Sequence, residues 1–364
     1  MKLRLDKKAF LDGLQVVQNV VGMRSTLPVL SNVLIDAEED NLRFTTTDLE
    51  VSVAGSVEGD VLEDGRTTLP VRRLSSIIRE LPEGTIEIEV DDDDAAVVTA
   101  GSSYFKIIGI PADEFPAVPV SGEGNLYRLD QGVFREMLRK TSYASSTDET
   151  RYVLNGVLLS FKDGKLTLVA TDGRRLALVE NEVEIPAESD KDFILPSKAV
   201  NELMHVLGDE GELRITVKDK QIVFAFDGIV VSSKLIDGTY PNFRQVIPAN
   251  CEERIVIERE VMLMALRRVA LIASDKTGAT KFAFRNNQLE ISASSPDVGE
   301  ARETLPIKYS GREIVVAYNP AYVMDPLKNL SNDEIAFELI DEMSPGVIKC
   351  DIPFLYVLMP MRID

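Results

Sequence analysis

Two aspartates are the first side chains to weigh for chemistry. Asp48 follows Leu-Arg-Phe-Thr-Thr-Thr and Asp172 follows Leu-Thr-Leu-Val-Ala-Thr, so each closes a strand-like run. As a pair they would suit the general acid and general base of a hydrolase. Their other reading is a turn, in which a short carboxylate accepts backbone N–H groups just ahead of it. The rest of the chemical inventory is thin. The one histidine, His205, falls in an apolar helical pattern and is expected to be half-buried and structural. Cys251 and Cys350 lie far apart with no neighbouring histidine, which leaves no zinc or thiol-nucleophile spacing and fits a reduced compartment. Asp91-Asp92-Asp93-Asp94 lacks the glycine of a calcium loop and reads as a solvated turn. Neither a phosphate-cradling glycine loop nor a nucleophile elbow occurs. No catalytic residue, metal or cofactor is therefore expected, and the chain reads as a binding or scaffold protein.

The elements that position these residues repeat. Asp48, Asp172 and Pro296 are spaced by 124 residues each time, and each follows a strand-like run. Another strand and turn precede each: Val29–Ala37, Val153–Phe161 and Lys281–Arg285, with turns at Glu39-Asp40-Asn41, Lys162-Asp163-Gly164 and Asn286-Asn287. Downstream, Leu69-Pro70, Leu195-Pro196 and Asn319-Pro320 open helical patterns, with proline expected at the first helical position. Earlier helices recur around Phe10–Val21, Phe134–Thr141 and Val261–Leu271. The period predicts three domains of one α+β fold, at 1–120, 121–249 and 250–364, each a doubled β-α-β-β-β unit. Identical modules joined head to tail form an arc, whose free sheet edges call for a partner.

The chain has 364 residues, 45% of them hydrophobic, which suits several packed domains. No apolar run approaches the roughly 20 residues of a membrane helix, and the opening Met1–Asp6 is not leader-like. A cytoplasmic protein without a membrane partner is expected. The net charge of −20 argues against nucleic acid at face value, but its distribution reverses the inference. Six candidate helices, at 6–24, 70–80, 130–143, 196–207, 258–273 and 319–330, carry +5 and the remainder carries −25. Helices sharing one face would offer phosphates a basic, sequence-independent surface, although lysine and arginine are also ordinary on solvated helix faces.

Several stretches together resemble the bacterial DNA polymerase III β subunits, the β sliding clamps. They are Arg24–Asn32, Thr47-Asp48-Leu49-Glu50, Arg151–Gly156, Ala170–Ala177, Tyr240-Pro241-Asn242-Phe243 and Val357–Arg362. The resemblance spans the chain. It implies a head-to-tail homodimer, a six-domain ring with helices inside and sheets outside. Such a ring encircles double-stranded DNA without sequence preference and tethers the replicative polymerase, conferring processivity without catalysis. The clamp loader and other replication and repair proteins would dock through a short linear peptide.

The resemblance also assigns residues. Arg24, Arg72, Arg73, Arg135, Arg139, Lys140, Tyr152 and Lys198 become candidate DNA-facing positions. The ring joint would set Arg73, Ile77 and Phe105 of one copy against Leu271, Ile272, Glu300 and Glu303 of the other. The peptide pocket would draw on Leu154, Thr171, Gly173, Arg174, Arg175 and Leu176, then on Pro241, Val246, Asn319, Tyr322 and Met343. It would be completed by the terminal Val357, Leu358, Met359, Pro360, Met361 and Arg362. Its Leu, Val, Pro and Met surface suits apolar peptide anchors, and Arg175 and Arg362 suit carbonyls or acids. Gln245 stands where a basic residue is expected beside the pocket, and Asp364 extends the tail by one acid. Read without the resemblance, the same residues also admit a multidomain hydrolase on Asp48 and Asp172, or a peptide-binding adaptor with no DNA role.

Overall fold

The computed structural model describes the whole chain except residues 23–26, 39–40, 119–123, 186–189, 250, 274–277 and 363–364. The expected module occurs six times. The first repeat holds β1 (Lys2–Asp6), α1 (Lys7–Val17), β2 (Asn32–Glu38), β3 (Asn41–Thr47) and β4 (Val51–Val57). A short extra strand follows, β5 (Asp60–Glu63), and then β6 (Gly65–Pro70), α2 (Val71–Glu80), β7 (Thr85–Val90), β8 (Ala95–Ala100) and β9 (Ser103–Ile108). The second repeat has β10 (Asn125–Asp130), α3 (Gln131–Thr141), β11 (Gly156–Lys162), β12 (Lys165–Thr171) and β13 (Arg175–Glu182). It continues with β14 (Lys191–Pro196), α4 (Ser197–Val206), β15 (Glu212–Lys218), β16 (Gln221–Phe226) and β17 (Ile229–Lys234). The third has β18 (Glu253–Glu258), α5 (Arg259–Val269), β19 (Thr280–Arg285), β20 (Gln288–Ser295) and β21 (Gly299–Pro306). It ends with β22 (Ile314–Tyr318), α6 (Pro320–Asn329), β23 (Glu334–Leu339), β24 (Gly346–Lys349) and β25 (Phe354–Leu358).

Local sequence explains most boundaries. Asp6 caps α1 by accepting from the Lys8 amide at 2.8 Å. The turns read from Asp163-Gly164 and Asn287 need left-handed backbone, and these residues have φ of 53°, 71° and 58°. Proline behaves differently from the expectation in two copies: Pro70 and Pro196 end β6 and β14, and only Pro320 is the first residue of a helix. A proline that ends a strand forgoes a ladder hydrogen bond it could not have made. The stretches Val29–Ser31 and Val153–Leu154 are 3₁₀ turns, so their strands start three residues later than the apolar runs suggest.

α1 buries Phe10, Leu14 and Val17, and α2 buries Val71, Leu74 and Ile78, while Ile77 stays half-buried. In α5 the buried face is Met262, Leu263, Ala265, Leu266 and Val269. Val261, Met264 and Leu271, read as part of that helix's apolar pattern, are exposed. His205 is exposed at the end of α4, because the face of that helix that packs is Ala199, Val200 and Leu203.

The chain divides into two compact units, residues 1–135 with 198–235, and 136–197 with 236–364. The first contains an eight-stranded sheet ordered β10-β15-β16-β17-β4-β3-β2-β6 and a five-stranded sheet ordered β5-β1-β7-β8-β9. The second contains an eight-stranded sheet ordered β14-β11-β12-β13-β25-β24-β23-β18 and a four-stranded sheet ordered β21-β20-β19-β22. Every pair in these ladders is antiparallel. Each eight-stranded sheet is two four-stranded halves from successive repeats. They are joined at β4·β17, where Val53 faces Val231, and at β13·β25, where Leu176 faces Val357. A lone half would leave its edge N–H and C=O groups unpaired, and the neighbouring repeat supplies the partners.

Candidate DNA-facing and partner-binding surfaces

The two aspartates form one turn built twice. Asp172 Oδ1 accepts from the amides of Arg174 (2.8 Å) and Arg175 (3.0 Å), and Thr171 Oγ1 donates to the Arg175 carbonyl (2.6 Å). Asp48 Oδ1 accepts from Glu50 (3.0 Å) and Val51 (2.8 Å), and Thr47 Oγ1 donates to the Val51 carbonyl (3.1 Å). The residue after each aspartate is left-handed, Gly173 at φ 84° and Leu49 at φ 78°. The second oxygens are committed as well, Asp172 Oδ2 to Arg175 Nε (3.0 Å) and Asp48 Oδ2 to Lys198 Nζ. Burial alone would raise the Asp48 carboxyl. Lys198 and the two amides outweigh it and hold the group below the usual carboxylate range. Carboxylates saturated in this way tie their turns together.

Arg175 is the centre of the second unit's hairpin. Its Nη2 donates to the Tyr143 carbonyl at 2.6 Å, its Nη1 pairs with Asp325 on α6, and its guanidinium stacks 4.3 Å from the Tyr322 ring centroid. Its side chain is only 11% exposed. Burial opposes the charge, but Tyr356, Asp325 and Asp172 outweigh it and hold the guanidinium protonated. Three of its donors hold β13, α6 and the 142–144 turn together. Asn319 is likewise committed, accepting from the Ala321 amide at 2.9 Å as the cap of α6.

Around this anchor the predicted pocket residues separate by depth. Leu176 and Val357 lie in an apolar cluster with Leu158, Val169 and Ile194, against which Val153, Tyr240, Phe243 and Ile247 pack. Leu154 and Leu358 are buried too. Val246, Met343 and Met359 are exposed, as are Gly173, Arg174, Pro241 and Arg362. Thr171, Tyr322, Pro360 and Met361 are intermediate. The tail is fixed by two backbone bonds, from the Met359 amide to the Arg174 carbonyl (2.9 Å) and from the Met361 amide to the Ala317 carbonyl (2.8 Å). Gln245 is exposed on the same 3₁₀ turn as Val246, and Asp364 lies outside the described residues. Tyr143 and Asp325 were not read from sequence, because nothing local marks a contact between Arg175 and a residue 150 positions away.

The candidate DNA-facing cations are mostly engaged within the chain. Arg135 pairs with Asp209 at 2.6 Å, and Glu136 takes Arg139 at 2.7 Å and Lys140 at 3.4 Å. Arg72 donates to the Val21 carbonyl at 2.9 Å, and Lys198 holds Asp48. Arg73 and Tyr152 are exposed, and Arg24 lies outside the described residues. Surface pairs of this kind contribute about 1 kcal/mol or less, so a phosphate can compete for the cation. Lys140, 14% exposed, is the least available.

Beside Lys198, Glu202 is buried with Oε2 unpartnered among the described residues. Burial pushes its carboxyl above the ordinary value, although His205 and Lys198 pull the other way. An acid whose value is raised on folding binds its proton more tightly when folded, so stability falls as pH rises past the unfolded carboxylate value. Glu202→Gln is therefore expected to raise Tm at pH 7, with the gain disappearing near pH 4. Equal melting of the two proteins at pH 7 would contradict this.

The two smaller sheets each have an outer edge formed by a predicted joint element. β9 exposes Tyr104, Phe105 and Ile108. β21 carries Glu300, which is exposed, and Glu303, held by Arg268 at 2.7 and 3.0 Å. Leu271, just past α5, is 80% exposed, and Ile272 is intermediate. Among the described residues no cluster of acids, cysteines or histidine is arranged to hold a metal ion, and no helix is long and apolar enough to cross a membrane.

Comparison with known proteins covers the whole chain. Family models for the N-terminal, central and C-terminal domains of the DNA polymerase III β subunit match residues 1–119, 128–242 and 244–362. A β sliding clamp of Pseudomonas aeruginosa is 34% identical, with both chains covered in full. One from Chlamydia trachomatis is 33% identical over all of this chain and 87% of its own length. Among solved structures, the sliding clamps of Pseudomonas aeruginosa (34% identity) and Bacillus subtilis (28%) superpose with TM-scores of 0.93 and 0.95 over the full length of each chain.

Proposed function

Because the chain belongs to the DNA polymerase III β subunit family, the β sliding clamps, we propose that two copies close head to tail into a ring around duplex DNA. The activity that follows from membership is that of a DNA sliding clamp. It is a non-catalytic processivity factor that tethers the replicative polymerase and other replication and repair proteins to the template.

One observation carries the ring. Successive repeats join the fourth strand of one four-stranded half to the last strand of the next repeat, first as β4·β17 and then as β13·β25. The next member of that series is β21 with β9, and both are unpaired edges. Supplied by a second copy, β9 would complete β21, and the joint would recur twice. Arg73, Ile77 and Phe105 then meet Leu271, Ile272 and the acids Glu300 and Glu303. Phe105 and Leu271 supply exposed apolar surface, and the arginine and acids are of opposite sign. The three domains are 1–120, 121–249 and 250–364, and the ranges of the three family models support these bounds.

The basic helices would line the opening with Arg24, Arg72, Arg73, Arg135, Arg139, Lys140, Tyr152 and Lys198. The intrachain acids that hold several of these cations keep phosphate contacts weak and exchangeable, as sliding requires. The peptide pocket rests on the apolar cluster of Leu176 and Val357, with Leu154, Thr171, Gly173, Pro241, Leu358 and Pro360 around it. Its rim is Arg174, Val246, Met343, Met359, Met361 and Arg362, while Arg175, Tyr322 and Asn319 brace it from behind. Clamp loader and polymerase would dock there by a linear peptide, in the cytoplasm. The whole-chain match to sliding clamps does not favour an adaptor without a DNA role.

The decisive experiment loads the protein onto nicked circular plasmid and then linearises it. Retention on the circle and loss from the linear form is the expected result; equal retention on both would overturn the ring. Reversing Arg72, Arg73, Arg135 and Arg139 to glutamate should remove most loading, and loading that survived would shift the DNA surface elsewhere.

A further inference from the structure

Arg151 touches two turns that serve different partners in the proposed function. It lies in the 3₁₀ turn Glu149–Leu154, beside the exposed Tyr152 of the candidate DNA surface. Asp148 caps that turn, accepting from the Thr150 amide at 3.0 Å and from the Thr150 hydroxyl at 2.6 Å. Arg151 Nε donates to the other oxygen of Asp148 at 3.0 Å, and its Nη1 donates to the Asp172 carbonyl at 2.8 Å. One guanidinium therefore spans from the Tyr152 turn to the Asp172–Arg175 turn.

Both ends of this span run on into the peptide pocket. Gly173 follows Asp172 at φ 84°, and a Cβ there would lie 3.2 Å from Arg151 Nη1, so glycine leaves room for the guanidinium. The next residue, Arg174, accepts the Met359 amide of the tail at 2.9 Å. On the other side Val153 and Tyr152 close on Gly238, where a Cβ would lie 2.8 Å from Val153 and 3.6 Å from the Tyr152 hydroxyl oxygen. Two residues on, Tyr240 packs against the apolar cluster of Leu176 and Val357. The first repeat has no such span. The residue 124 positions before Arg151 is Leu27, whose side chain has no donor, and the Asp48 turn is held by Lys198 instead. An aspartate turn thus forms without the bridging arginine, which occurs in the repeat that carries the pocket residues.

The bridge is within reach of a second, undocked state. The Arg151 side chain is 47% exposed, and a surface pair such as that with Asp148 adds little net stability against the rotamer freedom an undocked arginine regains. Its Nη2 has no hydrogen-bond partner among the described residues. We propose that Arg151 couples DNA to the peptide pocket. A backbone phosphate accepted by Nη2 holds the guanidinium in its bridging position, which fixes the Asp172 turn and tightens the hold on a partner's linear peptide. The first ligand orders the side chain, so the second meets an ordered site, and the coupling is reciprocal. Partners would then favour a clamp on DNA over a free one. The inference rests on the DNA and peptide surfaces proposed above.

The test measures, at low salt, the affinity of the full chain for a fluorescein-labelled peptide with leucine and phenylalanine anchors, with and without saturating short duplex DNA. Duplex is expected to tighten the peptide by about fivefold, and peptide to tighten duplex by the same factor. In Arg151→Met the factor should fall to near one. Arg151→Lys keeps the charge but not the planar fork, so it should lose most of the coupling, and it remains informative if the methionine variant is poorly folded. Tyr152→Ala should weaken duplex binding and leave the affinity for peptide alone unchanged. A loss of packing would shift affinities without removing the ratio between them, so the coupling factor separates positioning from a merely structural role. Wild-type protein that binds both ligands with a factor of one would overturn the proposal and leave the two surfaces standing. Protein that failed to bind one of them would overturn it together with that surface. An unchanged factor in a folded Arg151 variant would also overturn it.

Discussion

Arg175→Met is expected to lower the stability of the second unit by about 2–3 kcal/mol, because it strips Asp325 and the Tyr143 carbonyl of their partner at once. Breaking a fully buried ion pair from one side costs about 3–5 kcal/mol, and the lower figure allows for Asp325 being a quarter exposed. Methionine retains most of the side-chain volume, so lost packing against Tyr322 adds little. For a body of this size the expected fall in Tm is about 5–10 °C. A second effect should accompany it. The Arg174 carbonyl, next in the chain, accepts from the Met359 amide, so release of Arg175 frees the register between the turn and the tail. Affinity for a clamp-binding peptide should fall by about tenfold or more. Arg175→Met combined with Asp325→Leu should cost less than the sum of the single changes, since the charge left behind is then also removed. Additive losses, or an unchanged Tm for Arg175→Met, would show that the network does not brace the site.

Leu271→Glu is expected to turn a dimer into a folded monomer. The side chain is 80% exposed in one chain, so the substitution has almost nothing to disrupt within it, and the melting of the isolated chain should move little. In the proposed joint the leucine would be buried, giving up about 1.5–3 kcal/mol on truncation alone, and a buried unpaired carboxylate adds to the loss. The proposed ring would have two such joints, and the substitution would break both together. The dimer dissociation constant should rise by a factor of about a hundred or more, and retention on circular DNA should be lost. Phe105→Glu on the opposite edge should do the same from the other side. Sedimentation at a range of concentrations reads the result directly. A variant that stayed dimeric would move the joint away from β9 and β21.

Sequence alone determined a good deal of this protein. The period of 124 residues, the six helical patterns and the Asp-Gly and Asn turns were all legible, because they rest on local rules: apolar spacing, capping and backbone freedom at glycine and asparagine. The aspartate turn was legible for the same reason, since its hydrogen bonds span only two or three residues. Whole-chain similarity to the sliding clamps came from the same stretches.

Tertiary structure decided what depends on distant partners. It placed the strand pairs β4·β17 and β13·β25, which divide the middle repeat between two compact units, and no residue pattern within a repeat announces them. It brought Asp325 and the Tyr143 carbonyl to Arg175. It exposed His205 and Leu271, whose apolar sequence neighbourhoods suggested burial. It also left Arg43 with a buried Nε that has no hydrogen-bond partner among the described residues. Local conformation is set by short-range sterics and hydrogen bonds that a sequence window contains. The pairing of edges and charges is set by chain segments a hundred or more residues apart, and only the fold brings those together.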